Sequence, residues 1–165
     1  MKSYVLSVTV DNNPGVLTRV CQLFNRRAYN LESVTAGVTE NERISKLTLI
    51  TKVKEDHEIE QVVKQLKKLE NVHKVSRLTD ANSLCKEIMF MKVSATAETR
   101  PQITSIVNIF KADIVDVAPE DVIIQVTGDE SKLKVFQELM QPFGILEVVS
   151  SGYIAIKRGQ EMRRY

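Results

Sequence analysis

Tyr4-Val5-Leu6-Ser7-Val8-Thr9-Val10-Asp11-Asn12-Asn13-Pro14-Gly15-Val16-Leu17-Thr18-Arg19-Val20-Cys21-Gln22-Leu23-Phe24 is the stretch on which the fold turns. Its first seven residues alternate, with Tyr4, Leu6, Val8 and Val10 on one face of an extended chain. That pattern predicts a strand buried on at least one side. Asp11 to Gly15 is a turn signal. Pro14 suits the first helical position, with Asn13 as its N-cap and Gly15 second in the helix. Leu17, Val20, Cys21 and Phe24 then recur at helical spacing, so the helix has one apolar face. Arg26 and Arg27 stand in its last turn, where positive charge suits the dipole. Asn30 is suited to a left-handed helix end.

Working outward, the strand and helix become one repeating unit. Leu31 to Thr39 is a strand rich in polar residues, with Gly37 inside it, and Glu40 to Arg43 is a turn. Ile44 to Val53 is a second β run. Glu55 to Leu69 is a helix with Ile59, Val62, Val63, Leu66 and Leu69 in one stripe. Val72 to Leu78 closes the unit. The second half repeats the order. Glu87 to Ala95 is a strand, and Thr99-Arg100-Pro101 opens a helix carrying Ile103, Ile106, Val107 and Phe110. Ala112 to Val117 and Val122 to Thr127 are strands. Gly128-Asp129 opens the next helix, and the strands Ile145 to Val149 and Tyr153 to Ile156 follow. The fold class is therefore α+β, two ferredoxin-like βαββαβ sandwiches in tandem. The expected domains are residues 1–80 and 85–165, joined by a linker at 81–84, with a basic tail at 160–165. The polar strand from Glu32 to Thr39 is the expected edge, suited to pairing with its counterpart in another subunit.

Composition excludes several classes of function. The 165 residues carry 23 Lys and Arg against 21 Asp and Glu, a net charge of +2. That balance does not suggest nucleic acid or a membrane surface. Two cysteines and two histidines are too few for a zinc cluster or a disulfide framework. No 18-residue apolar run spans a bilayer, and no signal-peptide shape precedes the first strand, so a cytoplasmic location is expected.

Catalytic residues are scarce. His57 lies at a helix start among Glu55, Asp56 and Glu58, as a solvated residue would. His73 stands in an exposed strand. Cys21 belongs to the apolar stripe, and Cys85 has no histidine near it in sequence. No nucleophile elbow, HExxH, P-loop or dinucleotide glycine pattern is present. RNA binding on a βαββαβ sheet needs aromatic residues on the central strands. Ile44 to Thr51 has none, and the first strand has only Tyr4. A phosphatase of this topology needs an Arg in the loop after the first strand, and Asp11 to Gly15 has none.

That loop is what remains. A turn directly ahead of a helix presents free backbone N–H groups, which attract an anion such as a carboxylate. Gly15 lets a ligand approach the backbone. Asn12 and Asn30 carry amides for a carboxylate or an ammonium group. The same residues also suit an ordinary strand-to-helix turn.

Ser7 to Val20 resembles the opening of an ACT domain, a small module that senses amino acids. Leu23-Phe24-Asn25-Arg26-Arg27-Ala28-Tyr29-Asn30-Leu31-Glu32-Ser33-Val34 and Ile44-Ser45-Lys46-Leu47-Thr48-Leu49 resemble the small regulatory subunits of acetohydroxyacid (acetolactate) synthases. So do Lys86-Glu87-Ile88-Met89-Phe90-Met91-Lys92-Val93, Ile109 to Val117 and Ser151-Gly152. The resemblance implies an N-terminal ACT domain, a C-terminal ACT-like domain and no catalytic chemistry or cofactor on this chain. The implied partner is a catalytic large subunit that uses thiamine diphosphate, magnesium and FAD. The implied role is to raise that subunit's activity and to confer feedback inhibition by valine, leucine or isoleucine. It further implies a homodimer paired through ACT edge strands. Asn12, Asn13, Pro14, Gly15, Val16 and Leu17 of one chain would bind the effector, with Asn30 and Leu31 across the interface. The second repeat has Ala97-Glu98-Thr99-Arg100-Pro101 where the first has its Asn-Asn-Pro-Gly turn, so effector binding is not expected there. The competing expectation is a stand-alone sensing module that serves another enzyme or a regulator.

Overall fold

The computed structural model describes residues 2–159, so the tail read at 160–165 lies outside the described residues. The first repeat comprises β1 (Lys2–Asp11), α1 (Val16–Arg26), β2 (Asn30–Val38), β3 (Ile44–Val53), α2 (Asp56–Leu66) and β4 (Val72–Leu78). The second comprises β5 (Ser83–Ser94), α3 (Arg100–Ile109), β6 (Asp113–Val117), β7 (Asp121–Gly128), α4 (Glu130–Met140) and β8 (Ile145–Ser150), and β9 (Ile154–Lys157) follows. The chain forms two compact units. One runs to Cys85 and takes in the chain from Tyr153 onward, and the other is Lys86–Gly152.

In the first unit the strands lie in the order β2-β3-β1-β4, all neighbours antiparallel. The alternation of β1 has a direct cause. Leu6 and Val8 on β1, and Leu47 and Leu49 on β3, turn to the same side and meet Val20, Phe24, Ile59, Val62 and Leu66 from the two helices. Each such large side chain removed from water contributes about 2 kcal/mol. β2, the polar strand, is an edge. The α2 helix is held at its start by a capping box, in which Glu58 Oε2 accepts from the N–H groups of Lys54 (2.6 Å) and Glu55 (3.1 Å). Those two bonds hold the Glu58 carboxyl below its ordinary range. The helix ends at Leu66, three residues short of the sequence expectation. Leu69 still packs against the core from the turn that follows.

The second unit has the same plan, with strand order β6-β7-β5-β8. Its core gathers Met91, Val93, Ile103, Ile124, Phe136 and Met140. Phe110 meets Phe136 edge to face, with ring centroids 5.3 Å apart. Asp129 caps α4 by accepting from Lys132 N–H at 3.0 Å. Of the segment expected as a linker, Ala81 and Asn82 form a turn and Ser83 and Leu84 are already strand. A tight turn closes where Thr79 N–H meets Asn82 Oδ1 at 2.9 Å, and β5 opens at Ser83. β9 belongs to the first unit. Ala155 is buried there and donates its N–H to Thr48 Oγ1 at 3.3 Å, while Arg158 Nε donates to Ser83 O at 2.9 Å.

Candidate functional site

The loop between β1 and α1 is built as a turn, and its detail corrects the sequence expectation. Val16 N–H donates to Asn13 O at 3.3 Å, closing a four-residue turn over Pro14 and Gly15. Gly15 has φ 82° and ψ −8°. Those angles belong to the third residue of a type II turn, where Pro is favoured second and glycine third. Gly15, and not Asn13, is thus the residue that precedes the helix, and Val16 opens it. The two-residue shift follows from the Pro14-Gly15 pair, which makes a better type II turn than a helix start.

The helix N-terminus itself is open. No side chain caps it and no acidic residue stands in its first turn. Arg19 N–H is the first to bond within it, to Gly15 O at 3.0 Å. A Cβ placed on Gly15 would meet nothing within 4 Å, so the space over the turn is empty. Leu17, expected on the apolar stripe, is 43% exposed beside this opening, because the buried face of the helix is the i, i+4, i+8 row of Val16, Val20 and Phe24.

The loop is braced from behind by groups distant in sequence. Asn12 N–H donates to Arg43 O at 2.7 Å. The Asn12 side chain donates to Glu42 O at 2.8 Å and accepts from Ser45 Oγ at 3.0 Å. Its amide therefore holds the loop against the β2–β3 turn. Asp11, the residue before it, accepts from Asn71 Nδ2 at 2.9 Å and lies 2.6 Å from His73 Nε2. Those contacts, Asn71's first, hold the Asp11 carboxyl below its ordinary range. Arg19 Nη1 donates to Asn71 Oδ1, so α1 joins the same network. Sequence gives no signal for Ser45, Asn71 or His73 here, since each lies 33 to 62 residues from its partner.

Asn30 and Leu31 are not part of this cluster within one chain. Asn30 pairs with Lys52, whereas Asp11 pairs with Ile44. Eight residues of β3 separate the two rungs, about 25 Å along the strand. Asn30 opens β2 in extended conformation, and the left-handed residue expected there is Ala28, with φ 53°. Asn30 O accepts from Thr51 Oγ1 at 2.7 Å and its side chain is exposed. Leu31 packs against its own core.

The second unit repeats the scaffold of the loop and fills it differently. Ala95 N–H donates to Glu120 O at 2.8 Å, as Asn12 N–H does to Arg43 O. The Arg100 guanidinium then reaches Ala118 O and Pro119 O, each at 2.8 Å, and Ala95 O at 3.3 Å. The place held by Asn12 in the first unit is taken by this arginine. Among the described residues, no group of three or more His, Cys, Asp or Glu could hold a metal ion, and no helix is long and apolar enough to cross a membrane. His57 is exposed and lies 3.1 Å from Glu55, and neither Cys21 nor Cys85 is in a disulfide.

Two sequence models of known families match the chain. One, described as an "AHAS small subunit-like ACT domain", matches residues 6–74. The other, "Small subunit of acetolactate synthase", matches residues 86–159 and so runs on through β9, which the contacts group with the first unit. An acetolactate synthase small subunit of Mycobacterium bovis is 41% identical, over 96% of this chain and 94% of that protein. A probable acetolactate synthase small subunit of Archaeoglobus fulgidus is 43% identical, over 96% and 98%. The crystal structure of the acetolactate synthase small subunit from Thermotoga maritima superposes with a TM-score of 0.89 at 34% identity, covering 98% of this chain and all of that one. With two ACT-type βαββαβ folds in tandem and likeness of this extent over nearly its whole length, the chain belongs to the family of acetolactate synthase small subunits, regulatory subunits of the ACT type.

Proposed function

We propose that this chain raises the activity of a catalytic acetolactate synthase large subunit and makes it sensitive to a branched-chain amino acid, with valine as the first candidate. The reaction and its thiamine diphosphate, magnesium and FAD belong to that large subunit, and the complex works in the cytoplasm. The observation that carries the effector reading is the open N-terminus of α1 beside an exposed Leu17. The backbone N–H groups that follow Gly15 take the effector carboxylate. Leu17 contacts its aliphatic side chain, and Asn12, Asn13, Pro14 and Val16 hold the turn in shape.

Asn30 and Leu31 enter from a second copy of the chain. Antiparallel pairing of two β2 edges brings the Asn30 end of one strand beside the Val38 end of the other. The 12–17 loop stands at that Val38 end, because Val38 pairs with Ser45 and Ser45 with Val10. This supports a pocket shared by two chains, in which Asn30 meets the polar end of the effector. Inhibition follows if the effector binds the low-activity assembly more tightly, with a coupling of roughly 1–3 kcal/mol.

The test is a holoenzyme reconstituted with its large subunit and assayed with and without valine. Gly15→Asp puts a charge where the carboxylate binds, so it should abolish inhibition and spare activation. Intact valine inhibition in that variant would sink the site assignment. A large subunit left unactivated by the wild-type chain would sink the function.

A further inference from the structure

The two helices of the first unit leave a groove between them. Arg19 and Leu23 on α1 and Arg27 at its C-cap are spaced four apart and share one face, with Arg26 in the neighbouring row. Lys68, in the turn after α2, lines the same cavity, whose volume is about 360 Å³. That volume suits a small molecule. Leu23 and Leu69, half-buried against the core, give it an apolar floor. Among the described residues, four cationic side chains line the groove and no acidic one does.

Other lysines of this unit stand beside carboxylates, Lys2 with Asp56 and Lys52 with Glu32. Among the described residues, no hydrogen bond or ion pair engages the side chains of Arg26, Arg27 or Lys68. Arg19 gives one donor to Asn71 Oδ1 and keeps the rest of its guanidinium.

The second unit shows that the fold does not require these charges. Ala28 and Lys111, both left-handed, end the corresponding helix in each unit, which sets Arg19, Arg26 and Arg27 against Gln102, Ile109 and Phe110. The buried rows Ile59-Val62-Leu66 and Leu133-Phe136-Met140 set Lys68 against Pro142. No basic residue stands in the last turn of α3 or α4, and both helices form. Compensation of helix dipoles therefore does not account for four cations in one groove. Like charges gathered there raise the local potential and draw an anion. A single carboxylate neutralises only one of them. An oligophosphate carries several charges, and its oxygens match the planar fork of arginine.

We infer that this groove binds the oligophosphate group of a small ligand, with Arg19, Arg26, Arg27 and Lys68 around the phosphates. The site does not depend on the effector reading.

Pyrophosphate and ADP are the probes, each titrated calorimetrically into the full chain in magnesium-free buffer, with citrate in parallel. Pyrophosphate should bind saturably and more tightly than citrate. ADP binding no tighter than pyrophosphate would assign a free oligophosphate, and tighter ADP binding a nucleotide. Arg26→Gln and Lys68→Gln should each weaken binding about tenfold, the usual scale of a charge-assisted hydrogen bond. Lys134→Gln, at an exposed position on α4, should leave it unchanged. Thermal melts unchanged from wild type certify that the variants are folded. No saturable binding to wild type, binding indifferent to both groove changes, or an equal loss in Lys134→Gln would overturn the site. Citrate binding as tightly as pyrophosphate would overturn the phosphate class.

Discussion

The Ser45 hydroxyl donates to Asn12 Oδ1 at 3.0 Å, tying the end of β1 to the beginning of β3 across 33 residues of sequence. On its other side the same amide donates to the carbonyl of Glu42. A short polar side chain thus fixes where the strand-to-helix turn sits.

Asn12→Ala removes both bonds at once. Urea unfolding should report a loss of about 1–2 kcal/mol, and Ser45→Ala a smaller one. The double variant should lose less than the sum, because both act through one contact. Strict additivity would mean that the contact contributes nothing.

Gly15→Ala separates two costs that Gly15→Asp combines. The new methyl meets nothing, so only the left-handed backbone is penalised, by about 1 kcal/mol. The melting temperature should fall by roughly 2–4 °C. Valine sensitivity should persist in this variant, in contrast to Gly15→Asp. Its complete loss would show that the space above Gly15 tolerates no Cβ with ligand bound.

Acid should weaken the fold through a few named carboxyls. Asp11, Asp56 and Glu58 are held below their ordinary values, Asp11 chiefly by Asn71, Asp56 by the Tyr4 hydroxyl and then Lys2, and Glu58 by backbone N–H groups. A lowered carboxyl stabilises the folded state fully above its unfolded value, 3.8 for Asp and 4.5 for Glu, and loses that effect as pH falls through the folded value. The melting temperature should therefore hold steady above about pH 5 and decline below pH 4. Asp11→Asn should flatten part of that decline. An unchanged slope in that variant would assign acid sensitivity elsewhere.

Arg100→Met tests the arginine that fills the second unit's loop. Three carbonyl groups, of Ala95, Ala118 and Pro119, lose their charged donor. A destabilisation of about 2 kcal/mol is expected by calorimetry. Valine inhibition of the folded holoenzyme should not change.

The repeat was legible because period-2 and period-3.6 patterns alternate cleanly. Tyr4 to Val10 and Ile59 to Leu66 needed only their own apolar spacing to be placed. The helix start was misread by two residues, since Pro-Gly suits both a first helical turn and a type II turn, and only the Val16-to-Asn13 hydrogen bond decides between them. Leu17 is exposed because the buried face runs through Val16, Val20 and Phe24, a narrower row than the apolar spacing suggests. Asn12 was picked out as an amide facing a ligand, but partners on β3 and in the turn before it claim that amide. No local pattern announces them.

β9 changes what can be cut from this protein. The chain enters the second unit at Lys86, leaves it at Gly152, and has its final described strand in the first. In topology the second unit is an insertion between two segments of the first. A fragment stopping near residue 80, the natural choice from sequence, would lack the strand that buries Ala155 and supplies a partner for Thr48. A fragment that keeps the described part of the first unit whole needs residues 153–159 as well as 2–85.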